Sequence, residues 1–204
     1  ENLLGQLAGL GDQASTAISA ARSLGDARYQ ARHDALTGLA NRVLFAEAIE
    51  QALADARRGG DHPVVCFIDL DGFKAVNDAH GHAAGDDLLV QVGQRITACV
   101  REIDVVARLS GDEFGVLLRR VERAADAGGV AAKLVDVLRR PFVAGGHEVT
   151  IGASIGLAAA PVDGATSDEL LSAADDAMYR AKEHRGTYRS ASGPADVAPP
   201  GAPG

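Results

Sequence analysis

Apolar positions recur along the chain in several rhythms, and each predicts an element. Over residues 1–32, Leu3, Leu7, Leu10, Ala14, Ala17, Ala21 and Leu24 follow at alternating steps of four and three, the heptad rhythm of a coiled coil. Gly5, Gly9, Gly11 and Gly25 interrupt it, each costing a helix about 1 kcal/mol against Ala. The segment reads either as a parallel dimer stalk or as an amphipathic helix lying on the domain. After residues 33–42, Phe45, Ile49, Leu53 and Ala56 share one face of a helix that stops at Arg57-Arg58-Gly59-Gly60, cations at the negative helix end followed by glycine. Residues 64–70, VVCFIDL, are too short for a helix and rich in β-branched residues, which predicts a buried strand. A helix over about 84–100 would turn Leu88, Leu89, Val92, Ile96 and Val100 inward. VVARL (105–109) and FGVLL (114–118) read as a hairpin joined by SGDE. A helix near 122–139, a strand near 149–158 and a helix near 167–185 follow, the last opened by a Thr166/Glu169 capping box.

The order is β-α-β-β-α-β with an extra helix at each end. Two crossover helices and a hairpin predict an α+β domain of the ferredoxin-like, split-βαβ plan, with a four-stranded antiparallel sheet and helices on one face. The expected domains are an N-terminal coiled-coil-like helix (1–32), a folded core (33–188) and a Gly/Pro/Ala tail (189–204) read as disordered.

Composition narrows the function classes. Lys and Arg number 20 against 28 Asp and Glu, a formal charge of −8, which argues against broad binding to a nucleic-acid backbone. Aromatics are 4% with no Trp, so bases have no stacking platform. Apolar residues at 47% are enough for a sizeable core. Cys66 and Cys99 lie in apolar stretches without CxxC spacing, which predicts buried free thiols in a reducing compartment. The longest uncharged stretch, Val149 to Val162, has about 14 residues, short of the ~18 a membrane span needs. A start at Glu1 rather than Met points to a piece of a longer, cytoplasmic or membrane-anchored protein.

Two acidic clusters carry candidate chemistry. Strand alternation sends Asp69 and Asp71 to one face with Leu70 opposite. Acids at a strand end suit a hard cation, and Mg²⁺ takes one or two carboxylates plus substrate phosphates. Lys74 stands where an EF-hand needs glycine, which excludes that motif. The turn Ser110-Gly111-Asp112-Glu113-Phe114 lets backbone approach a phosphate while its acids face outward. If strand and hairpin are neighbours, Asp69 and Asp112 can grip one metal ion. His80 and His82 have no supporting ligand cluster and do not read as a zinc site.

DALTGLANR, FIDLDGFKAVND, HGHAAGDDLL, RLSGDEFGVLL, ASIGLA and AMYRAK together resemble the GGDEF domain of diguanylate cyclases, from about Asp34 to Tyr188. The resemblance implies a fold similar to the palm of polymerases and nucleotidyl cyclases, and condensation of two GTP into cyclic di-GMP and pyrophosphate by a homodimer of half-sites. It implies that Asp69, Asp112 and the Leu70 carbonyl hold Mg²⁺ (or Mn²⁺), and that Lys74 offsets charge in the transition state. Asn77 and Asp86 would read the guanine edge, His82, Ser110 and Gly111 would contact substrate, and Lys182 the terminal phosphates. Asp112 or Glu113 would help deprotonate the ribose 3′-OH. Arg101 and Asp104 match the family's RxxD product-inhibition site, with Arg108 as a second guanidinium. The bland alternative there is a surface ion pair.

Two departures stand out. The first Gly of the signature is Ser110, and the family's AKxxGR ending reads Ala181-Lys182-Glu183-His184-Arg185-Gly186. On a continuing helix Arg185 would leave the expected face by one position, about 100°. The rival reading is a GGDEF-like sensor that binds GTP or cyclic di-GMP without synthesis. A polymerase-type palm lacks a basic track for a template. An upstream sensor is the expected partner of the N-terminal helix.

Overall fold

The computed structural model describes residues 29–59, 61–121 and 126–192. The helix expected over 1–32 lies outside the described residues except for its last four positions, as does the tail from residue 193. Helix α1 (Arg42–Gly59) begins at Asn41, whose Oδ1 accepts from the amides of Val43 (3.0 Å) and Leu44 (3.1 Å), a side-chain N-cap. Strand β1 (His62–Asp71) follows, then two helices in succession, α2 (Phe73–His80) and α3 (His82–Thr97). The single helix expected over 84–100 is therefore shorter, and a second one precedes it. Gly81, at φ 83°, separates the two.

Strands β2 (Val105–Ser110) and β3 (Glu113–Val121) form the expected hairpin. Helix α4 (Asp126–Leu138) leads to a small hairpin, β4 (Phe142–Ala144) and β5 (His147–Val149), which the hydrophobic pattern did not predict. Strand β6 (Gly152–Ala159), helix α5 (Ser167–Ala181), a 3₁₀ turn (Lys182–His184) and strand β7 (Tyr188–Ser190) complete the chain. Thr166 caps α5 by accepting from the Glu169 amide, while Glu169 reaches back to the Ala165 amide rather than to Thr166.

The sheet runs β2-β3-β1-β6-β7. Its first four strands are antiparallel in the ferredoxin-like order, but β7 joins β6 in parallel, so the sheet is five-stranded and mixed. Helices also cover both faces rather than one. Val64, Cys66 and Ile68 pack with α3 and α4, whereas Val65 and Phe67 pack with α1 and α5. That is why β1 is buried on both sides along most of its length. Both cysteines are free; burial pushes the Cys66 thiol up to about 12, while Cys99 is only partly buried. No helix among the described residues is long and apolar enough to cross a membrane.

Candidate active site

The central strand delivers its acids to the hairpin. Asp69 lies opposite Glu113 on one side and Ser154 on the other, and the Leu70 amide donates to the Asp112 carbonyl at 3.3 Å. A cleft of about 390 Å³ is lined by Asp69, Leu70, Lys74, Asp112, Lys182 and Arg185, among others. Three separated stretches of sequence, 69–78, the turn at 112 and 182–185, thus meet at one end of β1. The neighbourhood is charge-dense. Lys182 Nζ donates to Asp69 Oδ2 at 2.9 Å, with the Asp69 side chain 13% exposed. Burial opposes the Lys182 charge, but the bond and charge of Asp69, then the charge of Asp112, outweigh it and raise the ammonium pKa.

Asp112 is shifted the opposite way from a comfortable carboxylate. Burial pushes its pKa up, and the charges of Asp69 and Glu113 add to that against its own backbone bond and Lys182. Two mutually repelling, half-desolvated acids are a donor set that a divalent cation would relieve. Among the described residues no three His, Cys, Asp or Glu side chains form a metal cage. Mg²⁺ does not need one, because phosphate oxygens and water complete its shell. The residues present fit such an ion.

Asn77 lies on α2, and His82 and Asp86 on α3, with the two helices meeting at Gly81. Asn77 Oδ1 is buried and has no partner among the described residues, a state that costs about 1–3 kcal/mol unless a donor arrives. It rests against Gly85, where an added Cβ would stand 1.9 Å from that oxygen. Gly85 lets the Asn77 amide lie flat against α3.

The turn from Ser110 to Phe114 is tied down from outside. Arg108, 14% exposed, donates from Nη1 to both Asp34 oxygens (3.1 and 3.2 Å) and from Nε to the Gly111 carbonyl (2.9 Å). Asp34 also accepts from the Thr37 amide and hydroxyl. These bonds and the Arg108 charge hold its carboxyl below the usual range despite burial. Ser110 donates its hydroxyl to Glu113 Oε2. Arg108 is therefore bound into this turn and is not brought beside Arg101 and Asp104, which precede the other end of β2.

Arg101 and Asp104 line a separate cleft of about 570 Å³ with Cys99, Arg120 and Val130. The Asp104 carboxylate accepts from the backbone amides of Arg101 (3.0 Å) and Arg119 (3.1 Å). No ion pair joins the Arg101 guanidinium to it among the described residues.

The profile described as "Diguanylate cyclase, GGDEF domain" matches residues 31–187. This chain belongs to that family. The bifunctional diguanylate cyclase/cyclic di-GMP phosphodiesterase MucR of Pseudomonas aeruginosa is 50% identical over 167 residues, 82% of this chain but 24% of MucR. The diguanylate cyclase TpbB of the same species is 44% identical over 165 residues, 80% of this chain and 38% of TpbB. The chain thus spans a minor part of these curated relatives. The solved GGDEF domain of TpbB superposes with a TM-score of 0.75 at 43% identity, covering 78% of this chain and 94% of that domain. The coiled coil and GGDEF domain of DgcB from Caulobacter crescentus, solved with c-di-GMP, gives 0.79 at 26% identity over 90% of this chain and 97% of DgcB's.

Within this GGDEF domain the second departure reads differently in three dimensions. Helix α5 ends at Ala181 and the 3₁₀ turn at His184, so the 100° argument does not apply to Arg185. Arg185 lines the cleft beside Lys182. Sequence reasoning missed Arg185 as a cleft residue, and Asp34 as the partner of Arg108. The sequence signal for the second was present, since Asp34 opens the DALTGLANR motif, but nothing in it said which cation Asp34 would meet.

Proposed function

We propose that this domain is a diguanylate cyclase that condenses two GTP into one cyclic di-GMP and two pyrophosphates. The observation that carries the reading is the convergence of Asp69, Asp112, Lys74 and Lys182 on one cleft, together with a buried Asn77 oxygen that has no donor among the described residues. Guanine offers N1–H and N2–H₂ on one edge, which adenine does not, so Asn77 with Asp86 would select the base. His82, Ser110 and Gly111 would border the nucleotide. Lys182 and Lys74 would bind the phosphates, offsetting the repulsion of a chain with charge −8. Asp69, Asp112 and the Leu70 carbonyl would hold Mg²⁺ or Mn²⁺, which when bound stabilises charge developing on the pyrophosphate leaving group.

Each 3′-oxygen attacks the α-phosphorus of the other GTP; the bond to pyrophosphate breaks, and the hydroxyl proton passes to Asp112 or Glu113. One site holds one GTP, so a two-fold symmetric product needs two copies face to face. Incubating the purified chain with GTP and Mg²⁺ and resolving the nucleotides by chromatography tests this directly. Cyclic di-GMP is expected; bound but unconverted GTP would favour the sensor reading, which the Ser110 bond to Glu113 supports by occupying a candidate base.

Product feedback at Arg101 and Asp104 belongs to the same proposal. The Arg101 guanidinium, which makes no ion pair among the described residues, lies beside this cleft and suits a phosphate. Added cyclic di-GMP should slow the parent, and Arg101→Ala should relieve the inhibition roughly 10- to 150-fold in product concentration. Equal inhibition of both would remove the site.

A further inference from the structure

Asp71 shares a strand face with Asp69, and as a second acid two residues along it looks like a third cation ligand. Its contacts say otherwise. The buried Ser154 hydroxyl donates to both Asp71 oxygens (3.0 and 3.1 Å). The Gly186 amide donates to Oδ2 at 3.0 Å. On the far side of that residue, the Gly186 carbonyl accepts from Arg139 Nη2 at 2.9 Å. Gly186 sits at φ 73°, a left-handed position that favours glycine, and an added Cβ would stand 2.9 Å from the same Arg139 nitrogen and displace it. Thr187 then enters the sheet by accepting from the Ile155 amide at 3.0 Å.

We propose that Asp71 is a positioning residue rather than a metal ligand. With Arg139 it grips Gly186 from both sides and so holds the 182–186 segment with Lys182 and Arg185 turned into the cleft. This rests on reading that cleft as the GTP site. The segment joins the end of α5 to β7, and without the grip its cations would have to be ordered when phosphate binds, at a cost in affinity. The swap of Arg and Gly at 185 and 186 follows: glycine takes the gripped, left-handed position, and the arginine moves one place back, where it still lines the cleft.

The test is calorimetric binding of a GTP analogue with a methylene bridge between the α- and β-phosphates, across a Mg²⁺ series, to the 204-residue chain and its variants. Arg139, outside the cleft, reports on the grip alone. Arg139→Ala and Asp71→Ala should each weaken binding about five- to twenty-fold, with the Mg²⁺ midpoint unmoved. Asp71→Asn should recover most of the loss, since its amide oxygen still accepts from Gly186. Asp69→Asn, in contrast, should move the Mg²⁺ midpoint. An acid with no positioning role beside a polyanion would give tighter binding on removal; that sign, or parental binding in Arg139→Ala, overturns the proposal. So does a Mg²⁺ midpoint moved as far by Asp71→Asn as by Asp69→Asn. A parent that binds no analogue would overturn the nucleotide reading instead. The grip is then judged by amide hydrogen exchange: protection at Gly186 released by Asp71→Ala upholds it, and equal exchange in both chains ends it.

Discussion

Asp112 sits where the needs of folding and of chemistry pull apart. Its pKa is raised by burial, with Asp69 and Glu113 adding like charge. A raised carboxyl means that the folded chain binds that proton more tightly than the unfolded chain, so stability falls as pH rises through the interval between the ordinary value and the raised one. Above that interval the penalty is constant. Asp112→Asn should therefore melt higher than the parent at neutral pH in a chelator, the two converging near pH 3, while losing cyclic di-GMP formation. A variant that melts lower at neutral pH would mean that the carboxylate is a net stabiliser and that the site is not strained by repulsion. Asn77 makes a second residue-scale case. Its buried, unpartnered oxygen predicts that Asn77→Ala stabilises or leaves unchanged the free protein but weakens GTP binding about tenfold, with discrimination against ATP reduced. Unchanged ATP rejection would assign base choice elsewhere.

At the scale of elements, α3 does more than cover the sheet. Arg95 donates to the carbonyls of Val137 (2.9 Å), Arg140 (2.7 Å) and Pro141 (3.0 Å), and its guanidinium lies 3.5 Å over the Phe142 ring. It binds the end of α4 to the small β4–β5 hairpin. Asp87 and Gln91 on the same helix hold the hairpin through the Gly145 amide and the Val143 carbonyl. Arg95→Ala should cost about 2–3 kcal/mol in urea unfolding, the sum expected of charged hydrogen bonds and a cation–π contact; a loss under about 0.5 kcal/mol would mean that Asp87 and Gln91 suffice. The small hairpin and the side chains that hold it were not legible in the sequence, for a physical reason. The hairpin strands are three residues each, too short for alternation to register, and they are held by side chains from another helix. The same holds for β7, which exists because β6 offers an edge, and for α2, whose eight residues bury only Val76. The four main strands and the helices packed on them were legible because each spends enough residues against the core to show its period. The acids of the cleft were legible as a motif and a strand end. Two partners of those acids, Ser154 and Gly186, were not, nor was Arg108, which ties the neighbouring turn to Asp34, since long-range register decides them.

At the scale of the molecule, the proposed reaction cannot be completed by one copy. Two phosphodiester bonds must form, one in each half of a symmetric arrangement, and each half supplies its own acids and cations. Two chains of charge −8 repel at long range, so encounter should be favoured by salt up to physiological ionic strength, where the Debye length is about 8 Å. The rate per chain should rise with chain concentration and level off when dimers predominate. Mixing sharpens the expectation. With a fixed amount of parent and an excess of Asp112→Asn, most parent chains face a partner that binds GTP but cannot complete its own bond. Cyclic di-GMP should then fall while a linear dinucleotide that has released one pyrophosphate accumulates, because the competent half can still form its single bond. A parent whose rate per chain is independent of concentration, and whose output is untouched by the excess variant, would mean that one copy carries both steps.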